Sequence, residues 1–575
     1  MYKKLFRKEE EMRKILTFFS VAAISVVFLL CGVHLAEAGV KLSASEVKAG
    51  ESITIEGAIA PGQDLFIAIA SQKTFAPKDT TGPHEVKRFK KDGKKLGFGP
   101  ETRVPVYYYM ITTNPEKFGK VTKKKYGGPS FMAGIYSTTM YKLANFDSLD
   151  EQAKAMLGPT IQSKEEWNFF KYLHEKKYGI NTVAKEGVTR GKIVIFARSV
   201  LTDFAKSGNY WDKGVSISLD KNTGKFSATF QTFRHTPPDT PFDVYINGQK
   251  ASSFTVKGNG FWLSRGYRYM NPIWIIIGAI AVATFFTLIG AAGGMLMAAF
   301  QVMVVKTAGP VGINAANVLR PSNMALTLFA PLGSFYRYAV VERRVAWPVG
   351  ISFGVGIFIG SIWLGKYVVQ YLPLKTYKEW LAILVVLMGI RTLYELTPKV
   401  MEKRKAIKAM VKKFNEEVAR AKAEGRSAQM DRIEAVKTGL TDYRFKFWGE
   451  EFRINPLLFG LLGLGIGIVS RCFGIGGGFL LVPAMTTLGG LPMYVAVPIS
   501  LIGTSFSSIG AFIGYMMNRY WPDLWIMIAI IIGGFVGGML GSRLQKLFSE
   551  KTLKWTLAIV LFFLFFRFFK IFIWV

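Results

Sequence analysis

Long apolar runs dominate the second half of the chain, whereas the first half alternates short apolar and polar stretches. Runs of about 20 apolar residues are long enough to cross a bilayer as helices. We therefore expect a mainly α-helical polytopic membrane protein that follows a β-rich soluble domain. The predicted apolar helices are 272–290, 293–305, 313–337, 346–366, 377–395, 456–473, 479–488, 495–517, 524–542 and 553–573.

Residues 1–38 have the pattern of a secretory leader. Six Lys and Arg residues precede an apolar core from Ile15 to Val33, and Ala36-Glu37-Ala38 then offers a small-x-small cleavage site. The pattern predicts a cleaved signal peptide or, in the alternative, an uncleaved signal anchor. Both interpretations place the following residues outside the cytoplasm.

Residues 39–265 alternate over short runs, which predicts an extracytoplasmic β-rich, sandwich-like domain. Asn247-Gly248 between two such runs predicts a hairpin. Two capping-box patterns, at Ser148 and Ser163, predict a helical insertion. The lysine-rich runs 87–95 and 123–125 are interpreted as solvated loops.

The remainder divides into a first membrane repeat (266–398), a cytosolic insertion (399–455) and a second membrane repeat (456–575). Basic loops fall on the cytoplasmic side when the spans are counted from outside, as the positive-inside rule requires. Each repeat then crosses an odd number of times, which predicts two inverted repeats with glycine-rich broken or re-entrant helices.

The polar stretch 396–455 combines many lysines with helical apolar spacing, which predicts a basic amphipathic helix on anionic lipid headgroups. Tyr443, Phe445, Phe447 and Trp448 are interpreted as the interfacial residues where the chain re-enters the membrane. Positive-inside loops also explain the net charge of +34, so no nucleic-acid partner is expected.

Two cysteines, Cys31 and Cys472, and four scattered histidines provide no metal or redox motif, and no cofactor is expected. The acidic residues nearest the predicted spans all stand at the ends of those spans: Glu342, Glu379, Glu395, Asp523 and Glu550. A membrane enzyme or a proton relay normally needs Asp, Glu or His inside them. We therefore expect neither an enzyme nor a buried-carboxylate relay.

A glycine-rich break, Gly474-Ile475-Gly476-Gly477-Gly478, interrupts the second repeat, and a similar break at 290–294 lies about 184 residues upstream. Matched breaks in two halves predict a transporter site at the repeat interface. The alternative is close helix packing through small residues. The predicted site glycines and proline are Gly293, Gly294, Gly474, Gly476, Gly477, Gly478 and Pro483.

The stretch GIGGGFLLVPAM, followed by LPMYVAVPISLIGTSFSSIGAFIGY, resembles the second-half signature of the sulfite exporter TauE/SafE family. The resemblance covers roughly residues 270–575. In the first half, Ala291 and Ala292 replace the Ile-Gly of the second copy, and no proline corresponds to Pro483. The resemblance implies a polytopic transporter of sulfite, sulfonates or related small organic anions.

Polar residues within the predicted spans complete the candidate site. Arg320 lies inside a span near Asn317 and Asn323, and arginine binds oxyanions bidentately. The alternative is an arginine that snorkels to the interface. Arg471, just before the second break, and Ser500 and Thr504, which share a helix face, are further candidates.

These patterns predict a secondary-type transporter of a small anion in the cytoplasmic membrane, with a sulfur-containing or small organic acid as its substrate. The alternative is a membrane sensor whose extracytoplasmic ligand-binding domain signals to the insertion.

Overall fold

In a computed structural model of the chain, the structure describes residues 40–80, 83–114, 117–126, 136–176, 198–199, 215–233, 235–290, 293–307, 309, 313, 315–364, 432–473, 478–487 and 489–548, with isolated residues between 383 and 424 and between 552 and 562. The predicted leader and most of the predicted spans 377–395 and 553–573 lie outside the described residues.

The N-terminal part is the expected β-rich domain. Its strands are Lys41–Leu42 (β1), Glu46–Lys48 (β2), Ser52–Ala58 (β3), Phe66–Ser71 (β4), Thr74–Phe75 (β5), Val104–Pro105 (β6), Tyr108–Thr112 (β7), Gly119–Tyr126 (β8), Tyr136–Leu143 (β9), Arg198–Ser199 (β10), Val215–Leu219 (β11), Lys225–Gln231 (β12), Thr240–Ile246 (β13) and Gln249–Lys257 (β14). One sheet has the order β1-β3-β12-β11 and the other β10-β7-β4-β13-β14-β2.

The two sheets share one core. Phe230 on β12 lies 5.1 Å from Tyr109 on β7 and 6.1 Å from Phe254 on β14, between ring centroids. β4 and β7 are buried along their whole length, because helix Lys164–Lys176 covers their second face. Its Phe170 ring lies 5.1 Å from that of Tyr108. The domain is therefore a sandwich with a helical layer on one side.

Helices in this domain follow the capping signals with one shift. Helices Pro83–Leu96 (α1), Glu151–Leu157 (α2) and Lys164–Lys176 (α3) are present. Asp150, rather than Ser148, caps α2 by accepting from the Ala153 amide, whereas Ser163 caps α3 as predicted. The lysine-rich run 87–95 lies within α1 and not in a loop, because the buried Phe89 packs on the ring of Phe169.

The Asn247-Gly248 hairpin is confirmed, and it joins β13 to β14. Both turn residues have positive φ, 47° and 85°, which is the geometry that two-residue hairpins favour.

After a short hairpin, Trp262–Leu263 (β15) and Arg268–Tyr269 (β16), the described residues are mainly helical up to Leu364 and again from Pro456 to Leu547. The helices are Pro272–Ile289 (α4), Gly293–Phe300 (α5), Ala315–Phe335 (α6), Trp347–Ile359 (α7), Pro456–Phe473 (α8), Gly478–Thr487 (α9), Met493–Met517 (α10) and Leu524–Leu544 (α11). Among the described residues, four helices are long and apolar enough to cross a membrane: Pro272–Ile289, Asn317–Val341, Met493–Met517 and Leu524–Leu544.

Three helices continue into π-helical turns, at Gln301–Val305, Tyr336–Val341 and Gly360–Leu364. α6 also contains Pro321 and Pro331. A proline inside a helix removes one donor from the hydrogen-bond ladder. The helix backbone is therefore irregular at several points near the centre of the molecule.

Residues 434–454 form a small antiparallel sheet of strands Glu434–Lys437 (β17), Tyr443–Phe447 (β18) and Glu450–Ile454 (β19). Tyr443, Phe445 and Phe447 are buried in the core that the helices share. Their interpretation as interfacial residues at a re-entry point was wrong, because their alternate spacing places all three on one face of a strand. The basic segment 401–412 before the sheet lies outside the described residues.

The same close helix contacts occur twice. In the first, α4 packs on α11, and a Cβ atom added at Gly533 would lie 2.5 Å from the Ile276 carbonyl oxygen. In the second, α8 packs on α7, and a Cβ atom at Gly356 would lie 1.9 Å from the Gly460 oxygen. Gly460 corresponds to Ile276 when Pro456 is aligned with Pro272, and Gly533 corresponds to Gly356 when Pro498 is aligned with Pro321.

In each half, the first helix therefore packs against a helix near the end of the other half: α4 against α11, and α8 against α7. The contacts fit two structural repeats, whereas their inverted orientation in a membrane stays a prediction.

The β15–β16 hairpin is fastened to the N-terminus of α11 by Asp523. The buried Asp523 carboxylate accepts hydrogen bonds from the Trp525 and Ile526 amides, and also from the Arg265 and Gly266 amides at 2.7 and 3.0 Å. We call these contacts the Asp523 clamp. The clamp holds the junction of the β-rich domain against the helical region.

Candidate functional site

α6 carries several of the buried polar side chains of the helical region. Arg320 is 1% exposed, and Asn317 and Asn323 are also buried. Pro321 cannot donate to the carbonyl four residues earlier, which is that of Asn317. Asn323 lies three residues after Arg320, and residues at this spacing share a helix face. The sequence therefore gathers a cation, two amides and an irregular backbone on one buried helix.

Gln301, in the π-helical turn after α5, pairs with this face. Its Nε2 atom donates to Asn323 Oδ1 at 2.7 Å, and both side chains are fully buried. Within the described part of the chain, Gln301 Oε1 and Asn323 Nδ2 have no hydrogen-bond partner. Sequence analysis missed Gln301 because the segment reads as a short apolar helix.

α10 faces α6 from the second half. Thr327 and Ser508 share a hydrogen bond of 2.6 Å between their hydroxyl oxygens. The Ser500 hydroxyl lies 2.8 Å from the Gly290 carbonyl oxygen and Thr504 donates to the Ser500 carbonyl at 2.7 Å. The hydrogen atoms of these hydroxyls are used in hydrogen bonds within the protein. Only the lone pairs of the hydroxyl oxygens therefore remain to accept a hydrogen bond from a solute.

The first glycine-rich break therefore touches the second half directly. Gly290 ends α4 with φ of 74°, and a Cβ atom there would lie 2.9 Å from Ser500 Oγ. Gly293 and Gly294 are buried at the start of α5, and a Cβ atom at Gly293 would lie 2.4 Å from the Phe286 ring. Both a left-handed backbone and a close approach require glycine here.

The second break is only partly described. Gly474, Gly476 and Gly477 lie outside the described residues, whereas Gly478 begins α9 and Pro483 lies within it. The site assignment of these residues stays a prediction.

Arg471 is buried at the end of α8, where its guanidinium binds backbone. Its Nη1 donates to the Ser361 and Ile362 carbonyls at 2.7 and 2.6 Å, and its Nη2 donates to the Gly514 carbonyl at 2.8 Å. The Tyr515 hydroxyl in turn donates to the Arg471 carbonyl.

The matching position in the first repeat makes matching contacts. There Tyr338 donates to the Thr287 carbonyl at 3.0 Å, and the Thr287 hydroxyl lies 3.4 Å from the Gly538 carbonyl oxygen. Gly538 and Tyr338 correspond to Ser361 and Tyr515 in the repeat alignment. Thr287 therefore occupies the position in the first repeat that corresponds to Arg471. Because this uncharged side chain also bonds backbone, the contacts favour a structural role for Arg471.

A third buried arginine, Arg344, lies in the turn that follows α6 and its π-helical extension. It forms an ion pair with Glu342 at 2.5 Å and donates to the Tyr494 carbonyl and Gln545 Oε1, each at 3.0 Å. Glu342 also pairs with Arg337 at 2.7 Å. This cluster joins the segment after α6 to the start of α10 and the end of α11.

No group of three or more His, Cys, Asp or Glu side chains that could hold a metal ion occurs among the residues that the structure describes. The arrangement at the centre instead offers a guanidinium, amides and hydroxyls. These groups suit the binding of an oxyanion by hydrogen bonds and charge.

Both parts of the chain match known protein families. A domain of unknown function, DUF8269, matches residues 38–265. The probable membrane transporter protein YunE of Bacillus subtilis (strain 168) is 24% identical over 290 residues, which cover 50% of this chain and 93% of that protein. No solved structure matches. The family model described as sulfite exporter TauE/SafE matches residues 275–568, about half of the chain, so this multi-pass membrane protein belongs to the sulfite exporter TauE/SafE family.

Proposed function

We propose that this protein is a secondary-type transporter that moves small anions across the cytoplasmic membrane. Sulfite, sulfonates and related sulfur-containing or small organic acids are its proposed substrates. The buried Arg320 is the observation that supports this proposal most strongly. A charged side chain inside a membrane helix is costly and usually functional, and Arg320 is 1% exposed within the protein.

Burial of Arg320 favours a binding role over snorkelling. A snorkelling arginine keeps its charged head in water at the interface, whereas this side chain is enclosed by protein. Asn317 and Asn323 accompany it on α6, next to a proline that interrupts the backbone ladder. We propose these three residues as the centre of the anion site.

The two glycine-rich breaks complete the proposed site from either side. Gly290 contacts Ser500 across the two halves, and the duplicated α4–α11 and α8–α7 contacts support a pair of related repeats. In transporters with inverted repeats, substrates bind where interrupted helices of the two repeats meet. We propose that the glycines of both breaks line that place: Gly293, Gly294, Gly474, Gly476, Gly477 and Gly478. Pro483, Ser500 and Thr504 would flank it.

The proposed orientation places the β-rich domain outside the cytoplasm and the 434–454 sheet inside. Arg344 and the basic residues near it then face the cytoplasm, as the positive-inside rule requires.

Flux measurements on variants of two arginines test the proposal. The protein is reconstituted in proteoliposomes, and uptake of sulfite, thiosulfate, methanesulfonate and acetate is measured. Arg320→Gln should lower uptake at least tenfold with little change in melting temperature, and Arg320→Lys should retain more uptake because it keeps the charge. Arg471→Gln should instead lower the melting temperature, because it loses three bonds to backbone carbonyls.

Wild-type uptake in Arg320→Gln would exclude this residue from the site. If the wild-type protein moves none of these anions, the transporter proposal fails.

One observation supports the alternative of a sensor. The Asp523 clamp joins the β-rich domain to α11, and the Ile433 amide, next to the 434–454 sheet, donates to the Arg343 carbonyl at 3.1 Å. A ligand of the β-rich domain that alters exposure of residues 432–454, with no flux of any anion, would favour the sensor.

A further inference from the structure

The Gln301–Asn323 pair leaves two buried polar atoms for something else to satisfy. Gln301 Nε2 donates to Asn323 Oδ1 at 2.7 Å. Gln301 Oε1 and Asn323 Nδ2 remain, and in the described part of the chain neither has a partner. Buried polar groups in folded proteins are almost always hydrogen-bonded, so two neighbouring exceptions point to a ligand.

The chemistry of these two atoms does not depend on which way the amides are turned. Side-chain amide oxygen and nitrogen atoms are assigned from their hydrogen bonds. If both amides were reversed, Asn323 would donate to Gln301, and Asn323 Oδ1 and Gln301 Nε2 would remain. In either orientation, one acceptor and one donor are left over.

A fully deprotonated oxyanion cannot satisfy both atoms, because it offers acceptors only. Its oxygen lone pairs would accept from the free amide N–H but would face the free amide oxygen, which needs a donor. An oxyanion that retains one proton can donate its O–H to the amide oxygen and accept from the amide N–H with an S–O or C–O oxygen. Arg320, one helical turn before Asn323, would supply the charge for the remaining oxygens.

We propose that Gln301 and Asn323 form a subsite for a singly protonated oxyanion, of which the O–H form of hydrogensulfite is the simplest sulfur example. This rests on the proposed function, and it adds that the pair selects the protonation state of the solute. Gln301 is then a binding residue, and the carrier takes hydrogensulfite in preference both to the sulfite dianion and to a sulfonate of equal charge.

Two probes of equal charge separate the O–H group from the rest of the anion. Methanesulfonate carries the same single charge as hydrogensulfite and also has three oxygens on sulfur, but none of its oxygens bears a proton, and it stays a monoanion over the whole working pH range. With the full-length protein in proteoliposomes, the KM for hydrogensulfite should be about tenfold lower than that for methanesulfonate, as expected for one buried hydrogen bond. The KM for total sulfite should rise as hydrogensulfite loses its proton, whereas the KM for methanesulfonate should stay constant.

Gln301→Met keeps the length of the side chain and removes both amide groups. It should bring the two KM values within about twofold of each other by raising only that for hydrogensulfite. The wild-type pH profile needs no variant, so the test does not depend on the folding of Gln301→Met.

A KM for total sulfite that does not change with pH, or equal KM values for the two probes in the wild type, would overturn the inference and leave the transporter proposal standing. The same holds if Gln301→Met raises both KM values equally. Absence of hydrogensulfite flux in the wild type would overturn this inference, and absence of flux for every anion would overturn the transporter proposal too.

Discussion

Two glycines one helical turn apart on α11 should respond oppositely to alanine. A Cβ atom at Gly538 would lie 2.0 Å from the Ala330 carbonyl oxygen on α6, whereas at Gly534 its nearest neighbour would be a Leu326 methyl carbon at 3.5 Å. Ordinary contacts begin near 3.4 Å. Gly538→Ala must therefore push α6 and α11 apart by about 1.4 Å, the difference between 2.0 and 3.4 Å, because protein interiors are close-packed.

The free-energy difference between the two variants isolates this clash. Alanine is favoured over glycine by about 1 kcal/mol in a helix, and both variants gain that amount. Overpacking typically costs about 1–3 kcal/mol, and only Gly538→Ala incurs it. We expect Gly534→Ala to be neutral or stabilising and Gly538→Ala to be less stable than Gly534→Ala by about 1–3 kcal/mol.

Thermal unfolding of the purified protein in detergent measures this difference. A change of 1 kcal/mol corresponds to about 2–4 °C in melting temperature for a unit of some 200 residues. Because α6 carries Arg320, the Gly538→Ala variant should also transport more slowly. Equal melting temperatures for Gly534→Ala and Gly538→Ala would refute the close approach of α6 and α11 at this point.

Two further predictions concern carboxylates outside the proposed site. Asp523→Ala removes the acceptor of four amides. It should speed hydrogen exchange at Arg265 and Gly266 about tenfold or more. Unchanged exchange at these two residues would contradict the clamp. Hydrogen bonds from Lys437 and then Arg444 hold the pKa of Asp442 well below its ordinary value of 3.8. A carboxylate with a lowered pKa stabilises the fold above its unfolded pKa, and this contribution is lost as the pH falls toward its folded pKa. Asp442→Asn should therefore weaken the 434–454 sheet by a constant amount above about pH 5, and the difference from wild type should shrink below about pH 4. Hydrogen exchange of residues 443–454 measures this difference in stability. A difference that grows in acid would contradict the predicted direction.

Apolar pattern alone was enough to locate most of the described helices. The predicted span 272–290 corresponds to Pro272–Ile289, and 524–542 to Leu524–Leu544. A bilayer demands long apolar segments, so hydropathy carries most of the information about where such helices lie. Irregular turns within a helix are harder to predict from hydropathy, because the apolar pattern is not interrupted at the π-helical turn Gln301–Val305.

The 434–454 sheet shows how context misled the interpretation of a local pattern. Tyr443, Phe445 and Phe447 have the alternate spacing of a strand, but the lysine-rich helix pattern before them favoured a membrane interface. The sheet is stable because its aromatic face is buried in the core of the helices, and that long-range contact leaves no trace in a short window of sequence.

The candidate site was predicted only in part, for a related reason. Arg320, Asn317 and Asn323 could be found because polar groups in an apolar span are conspicuous. The contacts of Arg471 could not, since they lie with residues more than 40 positions away in the chain. Gln301 was missed because one amide in a short helix has no meaning until its partner is known.

The Asp523 clamp fixes when the protein can be completed during its synthesis. Asp523 follows Arg265 by 258 residues, so the β-rich domain has left the ribosome long before its anchor exists. α4 also lacks its packing partner during this time, because α11 begins just after Asp523. A chain that stops before residue 523 would leave both the hairpin and one face of α4 uncovered.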